Sequence, residues 1–149
     1  MRAFSSADEV AGAVGEKLGP SDWVEVTQAM VDAFAAATGD RQWIHVDTER
    51  AAREAPGGKT IAHGYLLLSL LGTLMPMIFQ VEAMRILNYG LDKLRFLAAV
   101  PVGSRIRLRQ TIKAAEKGAS GWRVTNAISI EIEGAEKPAM IADVIFVYS

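Results

Sequence analysis

The segment Thr38-Gly39-Asp40-Arg41-Gln42-Trp43-Ile44-His45 places a carboxylate and an imidazole five positions apart, just past a glycine. Histidine is the one side chain whose ordinary pKa lies near neutrality. A carboxylate held beside it can orient the ring or share a water with it, which is what general acid–base chemistry needs. The chain has only two histidines. The other, His63, precedes Gly64 at the start of a long apolar run. A helix beginning at Gly64 would present unpaired main-chain N–H groups, and glycine lets a ligand approach the backbone closely. Such donors suit a thioester or similar carbonyl oxygen on which negative charge develops. Plainer readings stand beside these. Asp40 could cap the next element, His45 and His63 could be packing residues, and Gly64 could serve close helix-on-sheet contact.

Other candidates are weaker. Asp40, His45 and His63 include metal-ligand types, but there is no short His-x-x-His pair, and no metal is expected. Arg105, Arg107 and Arg109 form a basic stripe, read first as a solvated sheet face and second as a phosphate contact for a coenzyme tail. Asp92, Lys93 and Arg95 read as surface charges. There is no G-x-G-x-x-G and no Walker-type loop. With no cysteine, disulfides, thiol nucleophiles and thiolate metal sites are excluded together. A formal net charge of −1 gives no electrostatic grip on nucleic acid or anionic membrane, so neither is an expected partner.

These residues need a scaffold, and the chain is long enough for a single domain spanning residues 1–149. No apolar leader is visible at the N-terminus, and a cytoplasmic protein is expected. Ser6 with Glu9 matches a capping box, opening a helix to Leu18 with Val10, Val14 and Leu18 on one face. Trp23–Val26 reads as a brief strand. Thr27 caps a helix carrying Val31, Phe34, Ala35 and Thr38, and Gly39 ends it. Asp40–Val46 is then a connection, and Asp47 or Thr48 opens a short helix through Ala55. After the Pro56-Gly57-Gly58 loop, Tyr65–Met75 reads as one helix apolar on nearly all sides. It is expected to be buried in protein rather than lipid. The second half alternates with period two: an extended segment from Met84 to Phe96 with a bend or bulge at Gly90, then strands through Ile106–Ile112, Val124–Ile132 and Ala139–Tyr148. The pattern is α+β, with an antiparallel sheet wrapped round a central helix.

The stretch from Ala37 to Asp47 with Arg50-Ala51, then Ile61-Ala62-His63-Gly64, Leu94-Arg95-Phe96 and Pro101-Val102-Gly103-Ser104, resembles the MaoC-like dehydratases, the (R)-specific enoyl-CoA hydratases. The resemblance implies the hot-dog fold and a homodimer joined edge to edge. It implies that Asp40 and His45 are a catalytic pair holding one water, which adds to C3 of a trans-2-enoyl thioester, and that the Gly64 N–H binds the thioester oxygen. No cofactor is implied, since coenzyme A is part of the substrate. The family signature commonly reads Gly-Asp-x-Asn-Pro-x-His. Gln42 and Trp43 stand here in place of Asn and Pro, so the Gln42 amide is expected to orient the pair and Trp43 to reshape the acyl pocket. Within the same fold, a dehydratase or thioesterase acting on acyl carrier protein, or a non-catalytic acyl-thioester-binding subunit, remains open.

Overall fold

Strict alternation in the second half decides the sheet. The computed structural model describes residues 1–82 and 85–149. In chain order the elements are β1 (Arg2–Phe4), α1 (Ala7–Gly12), β2 (Lys17–Leu18), β3 (Val24–Glu25), α2 (Gln28–Thr38), α3 (Trp43–Val46), α4 (Thr48–Glu54), α5 (Gly64–Ser69), α6 (Leu71–Leu74), β4 (Phe79–Val81), β5 (Ile86–Phe96), β6 (Arg105–Gly118), β7 (Gly121–Ile132) and β8 (Met140–Tyr148), with 3-10 turns at Pro56–Gly58 and Met75–Met77. On β6, Ile106, Leu108, Gln110 and Ile112 point into the core. On β7, Val124, Asn126, Ile128 and Ile130 do the same. The main sheet runs β2-β6-β7-β8-β5, with β3 also on β6, and every pair in it is antiparallel. This is the α+β hot-dog arrangement. A second, two-stranded parallel sheet joins β1 to β4, which the sequence pattern does not disclose.

The central helix differs from the single rod expected. It breaks at Leu70 (φ −68°, ψ −8°) into α5 and α6, and Pro76 enters a 3-10 turn. Leu66, Leu67, Leu70, Leu71, Leu74 and Met75 are buried in the core. Tyr65 is 67% exposed and Met77 37% exposed. The run therefore has one buried stripe and one open face, not an apolar surface covered all round. Among the described residues no helix is long and apolar enough to cross a membrane.

The first helix is also shorter than expected. Ser6 caps α1 by accepting from the Glu9 N–H at 3.2 Å, but the Glu9 carboxylate turns back to the Ser5 N–H at 2.7 Å rather than to Ser6. The helix stops at Gly12, and Lys17-Leu18 leaves the helical pattern to pair with Thr111 and Gln110. Leu18 is buried by this pairing while Val14 stays exposed. Strand pairing and burial thus outweigh a local period that contained only three apolar positions.

β5 is the edge of the main sheet and the least covered long element. Ile86, Leu87, Tyr89, Leu91 and Phe96 are all exposed. The register slips between Asn88 and Gly90, so the extra residue is Tyr89, adjacent to the glycine expected to mark the bend. The expected start of this segment at Met84 lies outside the described residues. An apolar groove of about 840 Å³ runs between the α5–α6 face and β5, with Leu68, Met75, Ile86, Leu91 and Phe146 on its walls.

Candidate active site

Asp40 and His45 are held at the two ends of a short stretch with its own geometry. Thr27 caps α2, and Gly39 terminates it in the left-handed region at φ 79°, as its place after the last apolar position predicts. The chain does not then run as an open connection. Trp43–Val46 closes one helical turn, α3, with His45 N–H donating to the Gln42 carbonyl at 3.0 Å and Asp47 N–H to Trp43 at 3.0 Å. Asp47 then caps α4 by accepting from the Arg50 N–H at 3.0 Å. The bend brings one carboxylate oxygen of Asp40 and one ring nitrogen each of His45 and His63 within 4.8 Å of one another. Asp40 is exposed, whereas both histidines are buried.

The His45 ring has a defined tautomer. Its Nδ1 lies 2.6 Å from the Ile61 carbonyl oxygen, which can only accept, so Nδ1 carries the proton. Nε2 is left with a lone pair. By the same logic His63 Nε2–H donates to the main-chain carbonyl of Asp40 at 3.0 Å. The two rings stack, with centroids 3.8 Å apart and planes 24° from parallel. Metal ions bind imidazole nitrogen in the ring plane. In two stacked rings the in-plane lone pairs lie in separate, nearly parallel planes, which is a poor shape for gripping one ion.

Gly64 opens α5 next to this cluster. Together with His45, Ile61, Ala62, Leu67, Phe96 and Leu97 it borders a cavity of about 310 Å³. A Cβ at Gly64 would come 3.0–3.1 Å from the Phe96 ring, so glycine is what allows that ring to lie against the helix start. Phe96 is a wall residue that sequence reading placed only in a strand.

Gln42 and Trp43 behave differently from expectation. The Gln42 side chain is exposed and makes no capping bond. Gln42 contacts Asp40 instead through its main-chain N–H, which approaches the carboxylate at 3.5 Å. Trp43 turns away from the cavity and stacks with Arg50, whose guanidinium carbon sits 4.1 Å from the indole centroid. Missed altogether by sequence reading were Gln28 and Thr60. The Gln28 amide donates to the His45 carbonyl at 2.8 Å and accepts from the Thr60 hydroxyl at 2.5 Å. Only a long-range contact links them to the site, and no local pattern signals it.

The arginine stripe is the solvated face it was first read as. Arg107 and Arg109 share Glu131 at 2.5 and 2.7 Å, and Arg105 pairs with Glu133 at 3.2 Å. Burial works against ionisation of Glu131, but the hydrogen bonds from Arg107 and Arg109 outweigh it and hold the carboxyl below its usual range. Asp92 pairs opposite Asp143, and Lys93 and Lys113 approach Asp143 at 4.0 and 2.5 Å, a local charge cluster at the sheet surface.

A sheet packed on a helix, with a carboxylate and an imidazole beside the helix start, defines a protein of the hot-dog class. Residues 9–131 match the MaoC-like domain model, and the chain belongs to the MaoC-like dehydratase family. It is 48% identical over 150 residues to a 3-hydroxyacyl-thioester dehydratase Z of Mycobacterium tuberculosis, covering 99% of both chains. It is 45% identical over 148 residues to nodulation protein N of Rhizobium leguminosarum bv. viciae, covering 96% of this chain and 90% of that one. Among solved structures, the (R)-hydratase from A. caviae involved in PHA biosynthesis superposes with a TM-score of 0.68 at 27% identity, over 90% of this chain and 95% of that one.

Proposed function

We propose that this enzyme is an (R)-specific enoyl-CoA hydratase that adds water to trans-2-enoyl-CoA to give (3R)-3-hydroxyacyl-CoA, and runs the reverse dehydration. The observation that carries the reading is the convergence of the Asp40 carboxylate and the His45 ring beside Gly64. The mycobacterial relative, a 3-hydroxyacyl-thioester dehydratase, supports the substrate class.

A water held between Asp40 and His45 loses a proton to His45 Nε2 as its oxygen attacks C3. The Nδ1–H bond to Ile61 fixes the ring and, in the neutral imidazole, leaves Nε2 as the nitrogen that accepts. The C2=C3 electrons move toward the thioester, and the Gly64 N–H takes the charge that builds on its oxygen. Asp40 accepts a hydrogen bond from the water's second O–H, which stays on the oxygen that bonds C3, and the proton taken up by His45 Nε2 is delivered to C2, so both groups end as they began. The net change is addition of H and OH across one double bond, so no cofactor is needed and coenzyme A enters only as part of the substrate. A coenzyme A thioester and a chain without cysteine suit a cytoplasmic enzyme. The exposed β5 edge suits pairing with a second copy into a homodimer.

The test is loss of the conjugated enoyl absorbance with short and medium trans-2-enoyl-CoA, followed by chiral analysis of the product. Asp40→Asn and His45→Gln should each lower kcat by about 10²–10⁴. No hydration by the wild type ends the reading. Hydration with unimpaired variants ends the assignment of the pair. Turnover only with enoyl groups on acyl carrier protein would move the substrate to the carrier-bound thioester, and release of free thiol would indicate a thioesterase.

A further inference from the structure

The catalytic pair proposed above is tied down through its main chain, and each tie comes from a different part of the fold. The His45 carbonyl accepts from the Gln28 amide on α2 at 2.8 Å. Gln28 is itself fixed twice: Nε2 also donates to Asp32 at 2.8 Å, and Oε1 accepts from the buried Thr60 hydroxyl at 2.5 Å. Thr60 is anchored in turn, its carbonyl accepting from the Val102 N–H at 2.8 Å. The Asp40 carbonyl accepts from His63 Nε2 at 3.0 Å. The His63 ring is 3% exposed and is sandwiched between His45 at 3.8 Å and Phe34 at 4.9 Å. Its Nδ1 is buried without a hydrogen-bond partner, so Nε2 supplies its polar anchor.

We infer that Gln28 and His63 are paired positioning residues: each clamps the main-chain carbonyl of one member of the Asp40–His45 pair, and together they set the gap in which the water is held. This rests on the proposed hydratase reading for its rate consequence, but not for its geometry. Among the described residues the other ties of the six-residue span are the single turn of α3, the Asp40 N–H on the Thr38 hydroxyl, the Gln42 N–H on the Asp40 carboxylate, the Ile61 N–H on the Ile44 carbonyl and the His45 bond to Ile61. Both clamps reach across from outside the span. Without them the gap is held by those ties alone. A displacement on the order of 1 Å costs about 10²-fold in rate when reacting groups must meet a bound substrate.

The variants separate donor from bulk. Gln28→Glu keeps the size and the acceptor for Thr60 but removes the donor to His45. Thr60→Val loosens Gln28 without touching the catalytic span. His63→Phe keeps a stacked ring and removes the donor to Asp40, while His63→Gln keeps a donor and removes the ring. Because the chain has two histidines, ¹⁵N-histidine spectra report the His45 ring with little overlap. The expected result is that Gln28→Glu lowers kcat about tenfold to 10²-fold, with KM within about twofold, and that the His45 signal moves away from the Nδ1–H tautomer in a variant that still unfolds cooperatively in urea. His63→Gln should retain more activity than His63→Phe. If Gln28→Glu fails to fold, Thr60→Val carries the same comparison. An unchanged His45 spectrum in the folded variants overturns the inference whatever happens to the rate. If the wild type hydrates no enoyl thioester, the functional reading falls while the spectra still decide the clamp.

Discussion

At Gly64 two demands meet on one residue. The Cα must let the Phe96 ring lie at 3.0–3.1 Å from where a Cβ would stand, and in the proposed reaction the adjacent N–H must stay open to a carbonyl oxygen. Gly64→Ala has no positive-φ penalty to meet, and Phe96 is 43% exposed and can swing outward. Its stability cost should therefore stay below about 1 kcal/mol, since a helix-start alanine offsets part of the crowding. Activity should suffer more: kcat/KM should fall by about tenfold or more as the displaced ring and new methyl crowd the oxyanion position. Urea unfolding set against enoyl-CoA kinetics would show whether the two effects separate. At this scale the sequence was informative about Asp40, His45 and Gly64 because their chemistry is unusual where they stand. It was silent about Gln28 and Thr60, whose polar side chains look like any surface residue until the fold sets them against the His45 carbonyl.

Among the elements, α2 and the long strands were legible because each carries a cap or a period long enough to decide between helix and sheet. Thr27 and Gly39 bracket α2 as expected. α1 is shorter than its apolar spacing suggests because Leu18 pairs with Gln110 on β6, α3 closes a single turn with no side-chain cap to announce it, and no Gly or Pro marks the break at Leu70. At the β6–β7 hairpin the glycine is visible locally as a turn residue, while the contact that demands it comes from a distant strand. Gly121 sits at φ +131°, and a Cβ there would lie 2.0 Å from the Tyr148 carbonyl oxygen on β8. Gly121→Ala must therefore displace backbone, and it should destabilise the protein by more than about 2 kcal/mol. By contrast, Gly39→Ala meets open space and bears only the left-handed backbone cost of about 1 kcal/mol. Parallel urea titrations of the two variants would rank them, and equal midpoints would refute the comparison.

For the whole molecule, the uncovered edge is the dominant fact. Among the described residues the outer side of β5 has no strand partner, it carries exposed apolar side chains, and the α5–α6 face beside it is open as well. Pairing with a second copy would remove both exposures at once. Leu87→Lys with Leu91→Lys should then convert a dimer to a monomer in sedimentation velocity, and a monomeric wild type would sink the proposal. The buried side of β8 makes a different prediction. Tyr148 is 1% exposed, and burial pushes its phenol up to about 12. A raised folded-state value means the folded chain holds this proton more tightly than the unfolded chain. Stability is therefore undiminished below about pH 10 and falls as pH climbs toward 12, by up to about 2–3 kcal/mol. Tyr148→Phe should flatten that alkaline decline, as followed by urea midpoints across the range.

The proposed acid–base pair and one wall of the cavity are carried by separate pieces of chain. Asp40 and His45 belong to one span closed by Gly39 at its start and Asp47 at its end, whereas Phe96 and Leu97 arrive on the far end of β5. Mutation can therefore revise what the enzyme admits without retuning how it moves protons. Descendants of such a chain would be expected to scatter widely in acyl preference while keeping one chemistry, with drift concentrated at the strand end and restraint at the span.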